Sequence, residues 1–399
     1  MRLLHTSDLH LGALWRGKSR RDDQERVLDE VLGLCNVHNV ETLLVTGDVF
    51  SDRVNGDRQA QVARRFLEQL RPHLDQGRAV VLLRGNHDPF DLFGLMRVFV
   101  DEMSKTTSWP LIVADLPDVY PVPGHNVQIV ALPYITPAML RDERSDVGLS
   151  PDQQLPGLAG LLAARVQRLY QRAAQGMPSI FVGHVLISGA QLTEDISSEA
   201  GYNSELWLDP SLLPQFTSYN ALGHIHLAQQ INGAGKPTWY AGSPDRMDLG
   251  ERAYTPQVLL VDTPAIAGGV ATVQPIPLTV CTPFIHETVR GMEEVGRFCE
   301  VQSIHEGPDP LGQLIISDVP AASRAPVEAR VRHVAPRLDV RWEIEGIARA
   351  EVVDEDDLHD IPTVVASYIG RAYANREDRG RRLMDAFNRL WETTSEMPQ

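Results

Sequence analysis

The chain has 399 residues, 43% of them apolar and 23% charged, with 37 Lys and Arg against 53 Asp and Glu for a net charge of −16. That is enough chain for two or three domains with a buried core. The acidity excludes a generally basic, DNA-coating protein and argues against a binder of anionic membranes, yet it leaves room for one local phosphate site.

In chain order, short apolar runs at Met1–Leu4, Thr42–Val45, Ala79–Leu83, Val127–Leu132, Ser179–Val182, Asn220–Leu222, Thr238–Tyr240 and Val258–Val261 have the length and β-branched content of buried strands. Helical periodicity separates several of them, over Gln24–Val37, Gln59–Leu70 and Leu158–Ala173. Strands alternating with helices predict an α/β domain over residues 1–275. Arg141–Pro156 and Thr193–Pro214 read as loops. Prolines 264, 275, 277 and 283 then mark a change of pattern. A small α/β unit over 276–349 follows, with strands at Leu314–Ile316 and Val340–Ile344 and a helix over Pro326–His333. The remainder, 350–399, opens on the acidic run Asp354–Asp357 and continues as two amphipathic helices. Ile361, Val364, Val365, Tyr368, Ile369 and Ala372 mark the first; Leu383, Met384, Phe387, Leu390 and Trp391 mark the second.

Three scattered cysteines (Cys35, Cys281, Cys299) with no CxxC make a disulfide framework unexpected and point to a reducing compartment. No run approaches the roughly 20 apolar residues of a membrane span. A polar run begins already at His5 where a signal peptide would lie, so a cytoplasmic location without membrane contact is expected.

Five fragments follow predicted strands and carry the chemistry: Asp8-Leu9-His10, Gly47-Asp48, Gly85-Asn86-His87-Asp88, Gly183-His184 and Gly223-His224-Ile225-His226. Side chains two apart in an extended segment point the same way, so Asp8 with His10, and His224 with His226, can each reach into one cleft. Carboxylates, imidazoles and an amide oxygen suit Mn²⁺, Fe or Zn²⁺, and the lack of thiolates argues against a structural zinc site. Any one fragment alone reads as a turn or cap. Five in this order do not.

At these residues the sequence resembles the calcineurin-like metallophosphoesterase superfamily, over residues 1–250. Within it, His5-Thr6-Ser7-Asp8-Leu9-His10-Leu11-Gly12, Thr46-Gly47-Asp48-Val49-Phe50, Ala221-Leu222-Gly223-His224-Ile225-His226 and Tyr240-Ala241-Gly242-Ser243-Pro244 resemble the SbcD-type DNA exonuclease subunits. The resemblance implies a metallophosphatase β-sandwich flanked by helices, then a small α/β capping domain and a helical tail that binds an SbcC-type ATPase. It implies two divalent metal ions, Mn²⁺ foremost, bridged by Asp48. Asp8, His10 and His226 would complete one site, and Asn86, His184 and His224 the other. His87 would face the substrate as a catalytic residue, with Asp88 to orient it. The implied activity is exonuclease and endonuclease hydrolysis of DNA ends and hairpins in DNA repair, by a homodimer within a heterotetramer. The rival reading is a metallophosphoesterase for small phosphodiesters or phosphoproteins. One departure stands out. Where the repair nucleases carry His or Asp three residues beyond the bridging Asp, this chain has Ser51, and Asp52 is the candidate substitute.

Arg16, Lys18 and Arg20 after the first motif, and Arg53 after the second, are candidate DNA contacts at the cleft rim, because Arg forks suit phosphate. The other reading is a solvated helix-start face. The tail stripes, with Tyr368, Phe387, Leu390 and Trp391, either pack on their own core or receive the partner.

Overall fold

A strand that is apolar at every position must bury both of its faces. Along Ala79–Leu83, Ala79, Val81 and Leu83 join one apolar cluster while Val80 and Leu82 join another. Leu3 and Leu4 divide in the same way, and so does Leu44 from Leu43 and Val45. Two cores on opposite faces of one sheet follow directly.

The computed structural model describes residues 1–51, 56–103, 109–136, 139–140, 151–192, 206–343, 365–366, 369 and 381–388. The chain divides into two compact units, one of residues 1–286, 302–313 and 332–339, the other of residues 287–301, 314–331 and 340–399.

In the first unit, one six-stranded sheet has the order Thr272–Pro277, Gln257–Asp262, Arg2–Thr6, Thr42–Val45, Ala79–Leu83, Leu111–Ala114. The last four strands are parallel, and the first two are added antiparallel. A second six-stranded sheet has the order Gln229–Gln230, Thr238–Tyr240, Tyr219–Gly223, Ser179–His184, Gln128–Leu132, Asp118–Pro121, with its middle four strands parallel and antiparallel edges. The sheets face each other across Leu3, Leu44 and Val81 on one side and Ile129, Ile180 and Val182 on the other. Helices α1 (Arg21–Val37), α2 (Gly56–Asp75) and α3 (Phe90–Met103) cover the outer face of the first sheet, where Val31, Phe66 and Phe93 join Leu43 and Val80. Helix α4 (Pro151–Gln171) covers the second, with Leu162 and Val166 beside Val130 and Phe181. This is the expected β-sandwich flanked by helices. In each sheet the parallel strands end along one edge, which is where an α/β fold places a ligand.

Residues of the second unit supply most of α5 (Gly291–Ser303) and α6 (Arg324–Val334) and the later residues of a three-stranded sheet, order Phe284–Arg290, Leu311–Ser317, Leu338–Trp342. Val295 and Phe298 on α5, and Val327 and Val331 on α6, are buried. Residues 381–388 are helical, with Phe387 half-buried. The other three tail candidates, Tyr368, Leu390 and Trp391, lie outside the described residues, as does the acidic run Asp354–Asp357.

Two expectations need correction. The loop expected over 141–156 is helical from Pro151, because proline at the start of a helix lacks only an N–H that would have no partner there. Helix α3 had no counterpart in the sequence reading. All three cysteines are free. Among the described residues no helix is long and apolar enough to cross a membrane.

Candidate metal centre

The chemistry-bearing residues stand at the carboxyl ends of parallel strands. Asp8 and His10 follow Arg2–Thr6, Asp48 follows Thr42–Val45, and Asn86 and His87 follow Ala79–Leu83. From the second sheet, His184 ends its strand, and His224 and His226 follow Tyr219–Gly223. The first two loops are laced together by Asp8 N to Gly47 O (3.0 Å), His10 N to Asp48 O (2.9 Å) and Leu11 N to Val49 O (2.9 Å). Those bonds hold an uncommon backbone: Asp8, His10, Asp48 and His224 have φ of 51°, 44°, 50° and 100°. Such conformations cost on the order of 1–3 kcal/mol each and persist where the surroundings enforce them. Two glycines make the approach possible. A Cβ on Gly47, itself at φ 106°, would enter the His184 ring, and one on Gly85 would enter the Asp48 carboxylate.

Two groups of ligand atoms result: Asp8, His10 and His226, and Asp48, His184 and His224, each within 4.8 Å of one another. Asp48 stands between them, its Oδ2 3.8 Å from His10 Nε2 and 3.4 Å from His184 Nε2. Asn86 Oδ1 lies 2.8 Å from both His184 Nε2 and His224 Nδ1. The hydrogen bonds behind the rings set the proton positions. Thr46 O accepts from His184 Nδ1 at 2.8 Å, so in the neutral ring Nε2 carries a lone pair and faces the acceptor oxygen of Asn86. Glu251 Oε1 takes the proton side of His226 Nδ1 at 2.5 Å, leaving His226 Nε2 aimed at His10 Nε2, 3.1 Å away. Lone pairs converging on lone pairs are repulsive unless a proton or a cation lies between them. This donor set fits two divalent ions, and the polar groups behind the rings are those a metal site requires.

The charge state agrees. Burial opposes charging His226, but the Glu251 carboxylate outweighs it and raises the imidazole to about 10. Burial likewise opposes charging His184, but Asp48 raises it to about 9. Burial would raise Asp48, yet the imidazoles of His184, His10 and His87 hold it well below the usual carboxylate range. Carboxylates with cationic or neutral imidazoles are the apo form of a site whose protons a metal ion displaces.

The other candidates fare variously. His87 is half-buried at the cleft, its ring edge-on to His10 at 5.0 Å and its amide donating to Asp48 Oδ1 at 2.8 Å. Asp88, expected to orient His87, spends its carboxylate on the amides of Phe50 (2.8 Å), Gly85 (2.8 Å) and Val49 (3.3 Å), tying the Asp48 and His87 loops to each other. Burial, then Asp48, raises its pKa to about 7. Arg20 was expected at the rim, but it is 1% exposed, donating to Asp245 Oδ2 and Arg246 O, both at 2.5 Å. Arg16 pairs with Asp339 at 2.5 Å, and Lys18 Nζ donates to Leu338 O at 3.0 Å. Asp52 and Arg53 lie outside the described residues. Glu251 was missed, since nothing in the run Asp248–Ala253 marks it as the partner of a histidine 25 positions earlier.

Residues 1–227 match the calcineurin-like phosphoesterase family, and the protein belongs to that family. Its catalytic domain is therefore that of a metal-dependent hydrolase. Within the family the chain is similar to bacterial proteins named as the SbcD component of the nuclease SbcCD. That of Bacillus subtilis (strain 168) is 28% identical over 306 residues, 74% of this chain and 74% of that protein. That of Escherichia coli (strain K12) is 29% identical over 273 residues, 65% of this chain and 64% of that protein. That of Rhodobacter capsulatus is 28% identical over 306 residues, 73% of this chain and 72% of that protein.

Proposed function

We propose that the chain is the nuclease component of a DNA-processing complex, hydrolysing phosphodiester bonds at DNA ends and hairpins. The observation that carries this reading is the placement of Asp48 between the two ligand clusters, with His87 at their half-buried edge. Asp8, His10 and His226 hold one divalent ion, Asn86, His184 and His224 the other, and Asp48 serves both. When bound, two such ions, Mn²⁺ foremost, supply Lewis acidity toward phosphate oxygens and lower the pKa of water. His87 steadies the phosphoryl oxygens and gives a proton to the departing sugar oxygen as its bond to phosphorus breaks. Asp88 keeps the Asp48 and His87 loops in register.

The names of the similar proteins support DNA as the substrate class and an SbcC-type ATPase as partner. On this reading residues 1–275 are the nuclease domain, 276–349 a capping domain and 350–399 the partner-binding tail, in a complex with two nuclease chains in the cytoplasm. The test is Mn²⁺-dependent digestion of end-labelled duplex and hairpin DNA, with and without the ATPase, beside a small phosphodiester. Shortened DNA supports the proposal. Hydrolysis of the small diester with intact DNA replaces it by a small-substrate phosphoesterase. Removal of residues 355–399 is expected to leave digestion of single-stranded DNA and to weaken co-purification with the ATPase; unchanged co-purification refutes the tail assignment.

A further inference from the structure

The two halves of the metal centre are backed by unlike groups. Behind His184 stands a neutral backbone carbonyl, Thr46 O, 2.8 Å from Nδ1. Behind His226 stands a full negative charge, Glu251 Oε1, 2.5 Å from Nδ1. Glu251 is 3% exposed and firmly placed. It sits on the 3₁₀ turn Gly250–Ala253, whose amides at Gly250 (2.8 Å) and Glu251 (3.3 Å) are capped by Asp248 Oδ1. Its second oxygen accepts from Met247 N at 2.6 Å, and its carbonyl accepts from Tyr254 N at 2.8 Å. The carboxylate therefore cannot rotate away from His226 without breaking a buried hydrogen bond.

We propose that Glu251 is a positioning residue that makes the Asp8–His10–His226 site the tighter of the two metal sites. The inference rests on the metal centre described above and concerns its asymmetry. A carboxylate on Nδ1–H fixes the tautomer, directs the Nε2 lone pair at the ion and makes the imidazole a stronger donor. Formal charge adds to this. Apart from the shared Asp48, the first site has two carboxylates, Asp8 as ligand and Glu251 behind it. The second has the neutral Asn86, and the nearby Asp88 is committed to three loop amides. One ion is then held as a resident, and the second joins at higher metal concentration.

The test is titration of Mn²⁺ into the chelator-stripped full-length chain by calorimetry, with elemental analysis of bound metal after dialysis. The wild-type chain is expected to show a tight and a weaker step. Glu251→Gln keeps the size of the side chain and an acceptor for Met247 N, but it removes the charge and can turn an N–H toward His226. It should weaken the tight step about 10–100-fold, the usual range for such outer partners, and leave the weaker step within about twofold. If Glu251→Gln does not fold, Glu251→Asp draws the carboxylate back by one methylene and is expected to produce the same selective weakening. An unchanged tight step, or equal weakening of both, overturns the proposal. A wild-type chain that binds two ions with no effect of Glu251 refutes this inference alone; one that binds no Mn²⁺ refutes the metal centre as well.

Discussion

His87 and Asp48 occupy neighbouring positions in the cleft, joined by the His87 amide to Asp48 Oδ1 bond at 2.8 Å, yet they have separable tasks. Asp48 offers its other oxygen to both clusters, whereas the His87 ring packs on His10 rather than converging with the ligand nitrogens. His87→Ala is therefore expected to lower hydrolysis by about 10²–10⁴-fold, the range for a lost general acid, while elemental analysis still finds both metals. Loss of metal from that variant would make His87 a ligand. Asp48→Ala should abolish activity and deplete both sites with the far-UV circular dichroism unchanged. A variant retaining two ions would remove Asp48 from its bridging place.

At the scale of elements, the hairpin Leu14–Trp15 and Lys18–Ser19 shows what a basic cluster can become in a fold. Its two-residue turn places Arg16 at φ 46° and Gly17 at φ 80°, the backbone a tight hairpin requires. Trp15 packs edge-on against Phe284 at 5.0 Å, and Arg20 closes the base against Asp245. Removing Arg20 strands a carboxylate that is itself only 6% exposed. Arg20→Leu is thus expected to cost about 3–5 kcal/mol of unfolding free energy, and Arg16→Ala, whose side chain is 40% exposed, about 0–1 kcal/mol. Urea unfolding checks both; equal small losses would show that Arg20 is not buried as described. The metal motifs were legible because ligands two apart at a strand end share a face. The fate of Arg20 was not, since Asp245 lies 225 positions away. Helix α3 was hidden for a different reason. Leu95, Val98 and Phe99 are half or more exposed on the side away from Phe93 and Met96, so apolar residues ring the helix and erase its stripe.

Across the whole molecule the two sheets are joined by an apolar core with one titratable group in it. His5, on a central strand of the first sheet, is fully buried. Its Nδ1 lies 2.8 Å from Tyr219 Oη on the facing sheet, and its Nε2 3.0 Å from Thr46 Oγ1 on its own. Burial lowers its pKa from 6.5 to about 3. The folded chain therefore keeps His5 neutral at a pH where the unfolded chain takes up a proton. Stability from this group is intact above about pH 6.5, falls as pH drops toward 3, and changes no further below that, because both states are then protonated. The slope approaches about 1.4 kcal/mol per pH unit well inside that window, or up to about 2 kcal/mol between pH 6.5 and 5. His5→Gln, which can still donate and accept across the sheets, should start less stable at pH 7.5 and lose less on acidification. Urea unfolding of both proteins at pH 7.5 and 5.0 in excess chelator removes the metal ligands' own pH dependence, and His73, which burial lowers to about 4, contributes equally to both. Identical acid losses in the two proteins would show that the histidine between the sheets is not held neutral by its burial.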